Sequence, residues 1–109
     1  NGTATISGNI ALGASNSSFN IADGSADVDM SISGVISSLG AGINVNGPGV
    51  LQFSGSSSNT YGGATTISGG TLLLNKTAGA AIPGNATING GTLLLGASGQ
   101  IPKTSNIVL

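Results

Sequence analysis

The stretch TISGGTLLLNKTAGAAIPGNATINGGTLLLGASGQIPKTSN, residues 66–106, contains nearly the same phrase twice. Residues 66–74 (TISGGTLLL) return as residues 87–95 (TINGGTLLL), 21 residues later. Each copy places a double glycine, which supplies the φ > 0 of a tight bend, between two short runs of strand-forming residues. A phrase that returns at a fixed interval indicates a repeat architecture, in which one structural unit follows another along the chain.

The rest of the chain also reads as short strands. Apolar and polar residues alternate over residues 26–32, 42–46 and 50–54, which predicts strands with one inward and one outward face. No segment has the 3.6-residue period of a helix, and the 20 glycines are too many for helices.

Short strands with regular turns fit either an antiparallel sandwich or a β-solenoid. In a solenoid, a residue lies about 4.8 Å from its counterpart in the next circuit, so that like stacks on like. The predicted inward columns are Ile67 with Ile88, Leu72 with Leu93, and Leu74 with Leu95. A sandwich places no such demand on residues one repeat apart. We therefore predict an all-β fold, a right-handed parallel β-helix (β-solenoid) of about five rungs of roughly 21 residues each. Residues 1–109 are expected to form a single β-solenoid segment, a fragment of a longer repetitive protein.

Charge is scarce. Charged residues make up 5% of the chain against about 25% in ordinary soluble domains, and the net charge is -1. This balance gives no basic footprint for nucleic acid and no basic patch for an anionic membrane. No run reaches the roughly 18 apolar residues of a membrane helix. We expect no nucleic-acid partner and no direct membrane insertion.

Residues 32–75 resemble the autotransporter-associated β-strand repeat, which occurs in passenger domains of type V secretion. The resemblance rests on an ordered series of short motifs: ISGVI (32–36), GVLQFSG (49–55), NTYGG (59–63) and GTLLL (70–74). It implies a right-handed parallel β-helix at the bacterial cell surface or in the extracellular space. It also implies an outer-membrane translocator barrel elsewhere in the parent protein, with neighbouring β-helix rungs or like chains as the other partners.

The family repeat names no catalytic residue, so none is carried over. The family commonly has a polar residue at the middle of the Thr-Leu-x-Leu run, where this chain has Leu73 and Leu94. Strand alternation turns Leu72 and Leu74 inward and therefore Leu73 outward, with Leu94 directly above it. We predict that Leu73 and Leu94 form an apolar ladder, a candidate interaction surface for another rod or for a neighbouring segment of the parent chain.

Asp27 and Asp29 are the best candidates for chemistry. Two carboxylates about 6.6 Å apart on one strand face could serve glycoside hydrolysis, but the chain has no His and no Arg to separate their pKa values. The spacing of Asp23, Asp27 and Asp29 faintly resembles a calcium loop, yet no second copy of the cluster follows. Tyr61 reads as corner packing or as a sugar-stacking ring. We expect no catalytic residue, no metal and no cofactor, and hence no enzyme.

Three functional hypotheses remain. The leading one is a non-enzymatic structural rod of a bacterial autotransporter-like passenger or surface fibre, which supports secretion and surface display. The second is a self-assembling extracellular filament subunit that stacks end to end. The third is a glycan-binding or glycan-degrading β-helix.

Overall fold

The computed structural model describes residues 2–109, and Asn1 lies outside the described residues. The described residues form short strands joined by bends and contain no helix, so none is long and apolar enough to cross a membrane. The strands are β1 (Ala4–Ile6), β2 (Ile10–Ala11), β3 (Ser17–Asn20), β4 (Met30–Ile32), β5 (Ile36–Ser37), β6 (Ile43–Asn46), β7 (Val50–Phe53), β8 (Thr65–Ile67), β9 (Thr71–Leu74), β10 (Ala86–Ile88), β11 (Thr92–Leu95) and β12 (Ile107–Val108).

The strands assemble into parallel sheets, each of which takes one strand from successive circuits of the chain. The first sheet has the order β1-β4-β7-β9-β11 and the second the order β3-β6-β8-β10-β12, while β2 pairs with β5 in a third. Every strand pair described is parallel. The predicted all-β parallel β-helix is confirmed, and the antiparallel sandwich is wrong. The handedness and the total of about five rungs stay predictions.

The repeat interval sets the register in the second half of the chain. Leu72 pairs with Leu93, as predicted from the 21-residue offset, and the other two predicted columns also pair in register. The first circuit is longer than predicted, because Ala4 pairs with Met30, 26 residues later. The extra residues lie in one corner. Nine residues, 21–29, connect the paired positions Asn20 and Met30, and only four residues, 47–50, make the equivalent connection one circuit later.

That longer corner corrects the prediction of a strand over residues 26–32. The strand begins only at Met30, because residues 26–29 belong to the corner. The carboxylate of Asp29 accepts a hydrogen bond from the backbone N–H of Gly24 at 2.8 Å, which holds the corner in its bent path. An alternating pattern therefore overestimated the strand by four residues.

Apolar side chains from successive circuits fill the interior. Ile32, Phe53 and Leu74 pair in register along one inward column, and each is at most 1% exposed. Leu95 continues this column but is 57% exposed, because β11 has a neighbour only on its β9 side among the described strands. The prediction that Leu95 lies in the core is right in register and wrong in burial.

The double glycine of the repeat serves the bend between β8 and β9. Gly70 has φ of +66°, a conformation that residues with a Cβ rarely adopt. A Cβ at this position would also collide with the carbonyl oxygens of Gly47 and Gly49 in the preceding circuit. The bend therefore requires glycine both for its backbone conformation and for the close stacking of neighbouring corners.

Candidate functional site

The most unusual site lies inside the corner that follows the first sheet. Lys76 comes two residues after the Leu-Leu-Leu run of β9, and only 1% of it is exposed. Its Nζ atom donates to the carbonyl oxygen of Ser54 at 2.6 Å and to that of Gly34 at 3.4 Å. Burial lowers the pKa of the Lys76 ammonium, and no carboxylate of the described residues offsets that effect.

The stacking of the corners explains why the ammonium group of Lys76 lies there. The carbonyl oxygens of Phe53 and Gly55 accept hydrogen bonds from backbone N–H groups of the next circuit, at Asn75 and Thr77. The carbonyl of Ser54, between them, has no such backbone donor, and the lysine side chain supplies one. Buried carbonyl groups are costly when left unpaired, so Lys76 satisfies an acceptor that the backbone ladder misses.

Gln100 fixes Lys76 from the next circuit. Its side-chain oxygen accepts from the Lys76 backbone N–H at 2.9 Å, and its amide nitrogen donates to the Lys76 carbonyl at 2.8 Å. Gln100 itself is 2% exposed. We call Gly34, Ser54, Lys76 and Gln100 the lysine clasp. It joins four successive circuits through one buried polar path, and no repeat or motif in the sequence signals it.

A second polar path runs through an adjacent corner. The side-chain oxygen of Asn59 accepts from the Ile36 backbone N–H at 2.9 Å, and its nitrogen donates to the Ala81 carbonyl at 2.8 Å. Nearby, the Tyr61 hydroxyl and the Thr65 hydroxyl share a hydrogen bond. Burial raises the pKa of Tyr61 well above its ordinary range. Because Tyr61 is 1% exposed, it packs in the corner, and the alternative of a sugar-stacking ring is wrong.

The acidic residues of the first circuit do not form a paired site. Both carboxylate oxygens of Asp29 are engaged: one accepts from Gly24 N–H, and the other accepts from Val50 N–H at 2.9 Å. These two hydrogen bonds lower the pKa of Asp29, which ties its charge to the bend. Asp27 is exposed beside it. Within residues 2–109, no cluster of three or more metal-ligating side chains is arranged to hold a metal ion.

The structure places Leu73 and Leu94 side by side on the outer face of the first sheet. They are directly paired across β9 and β11; Leu94 is 52% exposed and Leu73 is half-buried. Gln52 pairs with Leu73 from below, and Ser31 pairs with Gln52, so the outer column changes from polar to apolar along the stack. The geometry of the predicted ladder is present, and its role as an interaction surface stays a prediction.

An apolar groove of about 440 Å³ lies on another side, beside β2 and β5. It is lined by Ala11, Gly13, Ala14, Ser37, Ser38 and Leu39. Leu39 is fully exposed at its rim, and no charged or titratable side chain lines the groove. Sequence reasoning missed this groove, because it depends on how two non-repeated corners, residues 12–16 and 38–42, lie next to each other.

Residues 43–74, which run from the start of β6 to the end of β9, match the family model described as the passenger-associated-transport-repeat. This segment is therefore an autotransporter passenger repeat, which confirms the resemblance drawn from the motifs. The matched segment is shorter than residues 32–75, the segment in which the sequence motifs of the repeat lie. Neither the curated proteins nor the solved structures gave a match.

Proposed function

We propose that this chain, whose residues 43–74 form an autotransporter passenger repeat, is a non-enzymatic structural rod within a bacterial passenger domain. Its role is to support secretion and surface display, at the bacterial cell surface or in the extracellular space. A translocator in the parent protein is the partner that the repeat implies. The observation that carries the proposal is the in-register stack of passenger-repeat strands, in which each circuit is hydrogen-bonded to the one before it.

The stacking suggests how the segment serves transport. Each strand pairs with a strand 21 to 26 residues away, so a finished circuit offers a complete template to the next one. Repeat proteins of this kind gain stability by nearest-neighbour contacts and can grow from one end. A chain that emerges through the outer membrane would therefore fold circuit by circuit outside the cell, and the lysine clasp would secure the corner that holds Lys76 to its neighbours in the stack.

The non-enzymatic part of the proposal rests on the chemistry of the side chains. The sequence has no His, Arg, Glu or Cys to act as base, clamp or nucleophile. Two residues that motivated the hypothesis of a glycan-degrading or glycan-binding β-helix are engaged within the fold. The Asp29 carboxylate accepts hydrogen bonds from two backbone amides, and Tyr61 is buried. An assay on pectic, chitin-like and starch-like polymers should give no turnover, and activity that Asp27→Asn abolishes would contradict the proposal.

Surface display is the direct test of the proposed function. The chain would be produced in Gram-negative cells ahead of an outer-membrane translocator, and folded protein at the surface would be measured by antibody binding and by resistance to external protease. Leu72→Asp, which puts a charge in the core, should sharply reduce the protease-resistant surface fraction. The exposed variant Lys103→Met is the control and should behave like the wild type. Equal resistance of the Leu72→Asp variant would contradict a role that depends on the folded stack.

A filament subunit is the second candidate, and the open sheet edges favour it. The strands β1 and β11 each have a neighbour on one side only among the described strands, and Leu95 on β11 is 57% exposed. An unpaired strand edge with apolar neighbours is a template for another chain. Sedimentation and electron microscopy of the purified chain separate the candidates: long fibres favour the filament, and a concentration-independent monomer favours the passenger rod alone.

A further inference from the structure

The side of the stack that carries β2 and β5 is held together differently from the two large sheets. Beyond β5, its ladder continues among the described residues only as a single bridge between Ser37 and Thr60. The later circuits have isolated backbone hydrogen bonds there, and buried side chains join them. Asn59, for example, bonds to the Ile36 N–H at 2.9 Å and to the Ala81 carbonyl at 2.8 Å. On this side, the contact between circuits therefore depends on individual side chains.

Three successive circuits meet in this region. The lower circuit holds β4 to β6, the middle circuit β7 and β8, and the upper circuit β9 and β10. The backbone joins each of them to its direct neighbours. The Ser54 N–H in the middle circuit bonds to the Ile32 carbonyl in the lower one, and the Asn75 N–H in the upper circuit bonds to the Phe53 carbonyl in the middle one. These contacts are typical of a repeat stack, whose units interact with their nearest neighbours.

The Lys76 side chain departs from this nearest-neighbour pattern. It lies in the upper circuit, and its Nζ atom donates to the Ser54 carbonyl of the middle circuit at 2.6 Å. It also donates at 3.4 Å to the Gly34 carbonyl, which lies 42 residues earlier in the lower circuit. Gly34 is buried, and Gln100 holds both backbone groups of Lys76 from the other side. The Lys76 backbone is thus fixed, while its side chain spans two circuits.

We propose that Lys76 couples the lower, middle and upper circuits into one cooperative unit. Separation of the lower circuit from the middle one breaks the hydrogen bond from Lys76 to Gly34. Separation of the middle circuit from the upper one breaks that same bond together with the bond to Ser54. A single side chain therefore stabilises two interfaces, although only one of them adjoins the circuit to which it belongs.

Cooperative opening protects a stack from proteolysis. When circuits open independently, each one gives a protease its own opportunity, and cleavage follows the population of the open form. When three circuits open only together, that population is smaller, because more contacts are lost at once. Assembly can still proceed one circuit at a time, since the coupling is complete only when Lys76 docks. The coupling concerns the chain by itself and does not depend on the proposed passenger role.

Hydrogen exchange of single backbone amides, followed by NMR on the purified chain, tests the coupling. The amides of Ser54 and Thr60 report on the interface between the lower and middle circuits, and the amide of Asn75 reports on the interface between the middle and upper circuits. In the wild type, the three protection factors should agree within about threefold, because one opening exposes all three amides. In Lys76→Met, all three should fall, and that of Asn75 should fall most, since its interface loses both lysine hydrogen bonds.

Thr77→Val is the probe for transmission between the two interfaces. The Thr77 hydroxyl donates to the Gly55 carbonyl of the middle circuit at 3.2 Å, so its loss acts directly on the interface between the middle and upper circuits. In the otherwise natural chain, this substitution should lower the protection factors of Asn75 and Ser54 equally, by about twofold. In the Lys76→Met chain, it should lower the protection factor of Asn75 and leave that of Ser54 unchanged.

Two results would overturn the proposal. If Thr77→Val lowers the protection of Asn75 but not that of Ser54 in the natural chain, the circuits open independently. If it lowers both equally in the Lys76→Met chain as well, the circuits are coupled without the lysine. Should Lys76→Met fail to fold, Lys76→Gln provides the second background, because its side chain is one atom shorter but keeps a donor for the Ser54 carbonyl. The same two outcomes then decide.

Discussion

The ammonium nitrogen of Lys76 lies 2.6 Å from the carbonyl oxygen of Ser54 in the preceding circuit of the stack. Lys76 is buried and Ser54 is half-buried, and both residues belong to corners rather than to strands. It shows how a solenoid with few charges uses one of them: the lysine satisfies a backbone acceptor that the regular ladder leaves out. The corner, and not only the aliphatic core, therefore holds neighbouring circuits together.

Lys76→Met should destabilise the fold by about 1–3 kcal/mol, because it leaves the buried Gly34 carbonyl and the half-buried Ser54 carbonyl without the lysine donor. Methionine is nearly as long as lysine, so the loss would reflect the hydrogen bonds more than a cavity. Chemical denaturation of the wild type and the variant measures the difference. Lys103→Met, at an exposed position, is the control and should change stability by less than about 0.5 kcal/mol. A Lys76→Met variant at least as stable as the wild type would show that the clasp is not stabilising.

The alkaline stability profile should have two opposing parts. Because the pKa of Lys76 is lowered in the folded chain from an ordinary value of 10.5, the unfolded chain binds more protons below that value, and stability rises with pH towards it. Tyr61 acts oppositely: its pKa is raised from 10.0, so the unfolded chain loses a proton first and stability falls above that pH.

Denaturation series across this pH range test both signs. Lys76→Met should remove the rise in stability with pH and keep the fall. Tyr61→Phe should remove the fall and keep the rise. A rise that persists in Lys76→Met would assign it to another group and refute the lysine as its source.

Leu72→Asp should abolish the cooperative fold. Leu72 is fully buried and pairs with Leu51 below and Leu93 above, so a carboxylate there would have no partner. The expected loss is more than about 3 kcal/mol, enough to unfold a small domain. Circular dichroism with thermal melting measures it. An unchanged melting temperature would mean that Leu72 is not inside.

The pair of substitutions Leu73→Ser and Leu94→Ser should leave the fold intact and weaken lateral association. Both side chains lie on the outer face, and two stacked leucines form one apolar patch. Sedimentation of the wild type and the double variant over a range of concentrations measures the association. No change in sedimentation or in fibre bundling would reject the ladder as an interaction surface.

The repeat made the central part of the fold predictable. Nearly identical phrases 21 residues apart predicted that Leu72 and Leu93 stack, and the two residues pair in that register. The first circuit has no such copy. There the alternating residues before Met30 resembled a strand, while the hydrogen bonds of Asp29 to two backbone amides hold them in a corner.

The lysine clasp could not be predicted for a different reason. A single lysine after an apolar run normally reads as a solvated residue, since lysine is almost never fully buried. Its burial here depends on one carbonyl, that of Ser54, which corner geometry leaves without a backbone donor. A missing backbone donor of this kind depends on how the corners stack in three dimensions, so the amino-acid sequence alone does not indicate it.

Disulfide trapping tests the in-register stack most directly, because the natural chain has no cysteine to interfere. Leu73→Cys with Leu94→Cys places two thiols on directly paired residues of adjacent strands, about 4.8 Å apart between Cα atoms, within the range that disulfides accept. Leu73→Cys with Leu93→Cys is the matched control, since alternation puts the second thiol on the opposite face. Under mild oxidation, the first pair should form an intramolecular disulfide rapidly and the control should not. A control pair that oxidises as fast as the first, or a first pair that stays reduced, would contradict the β-helix register on which the whole account rests.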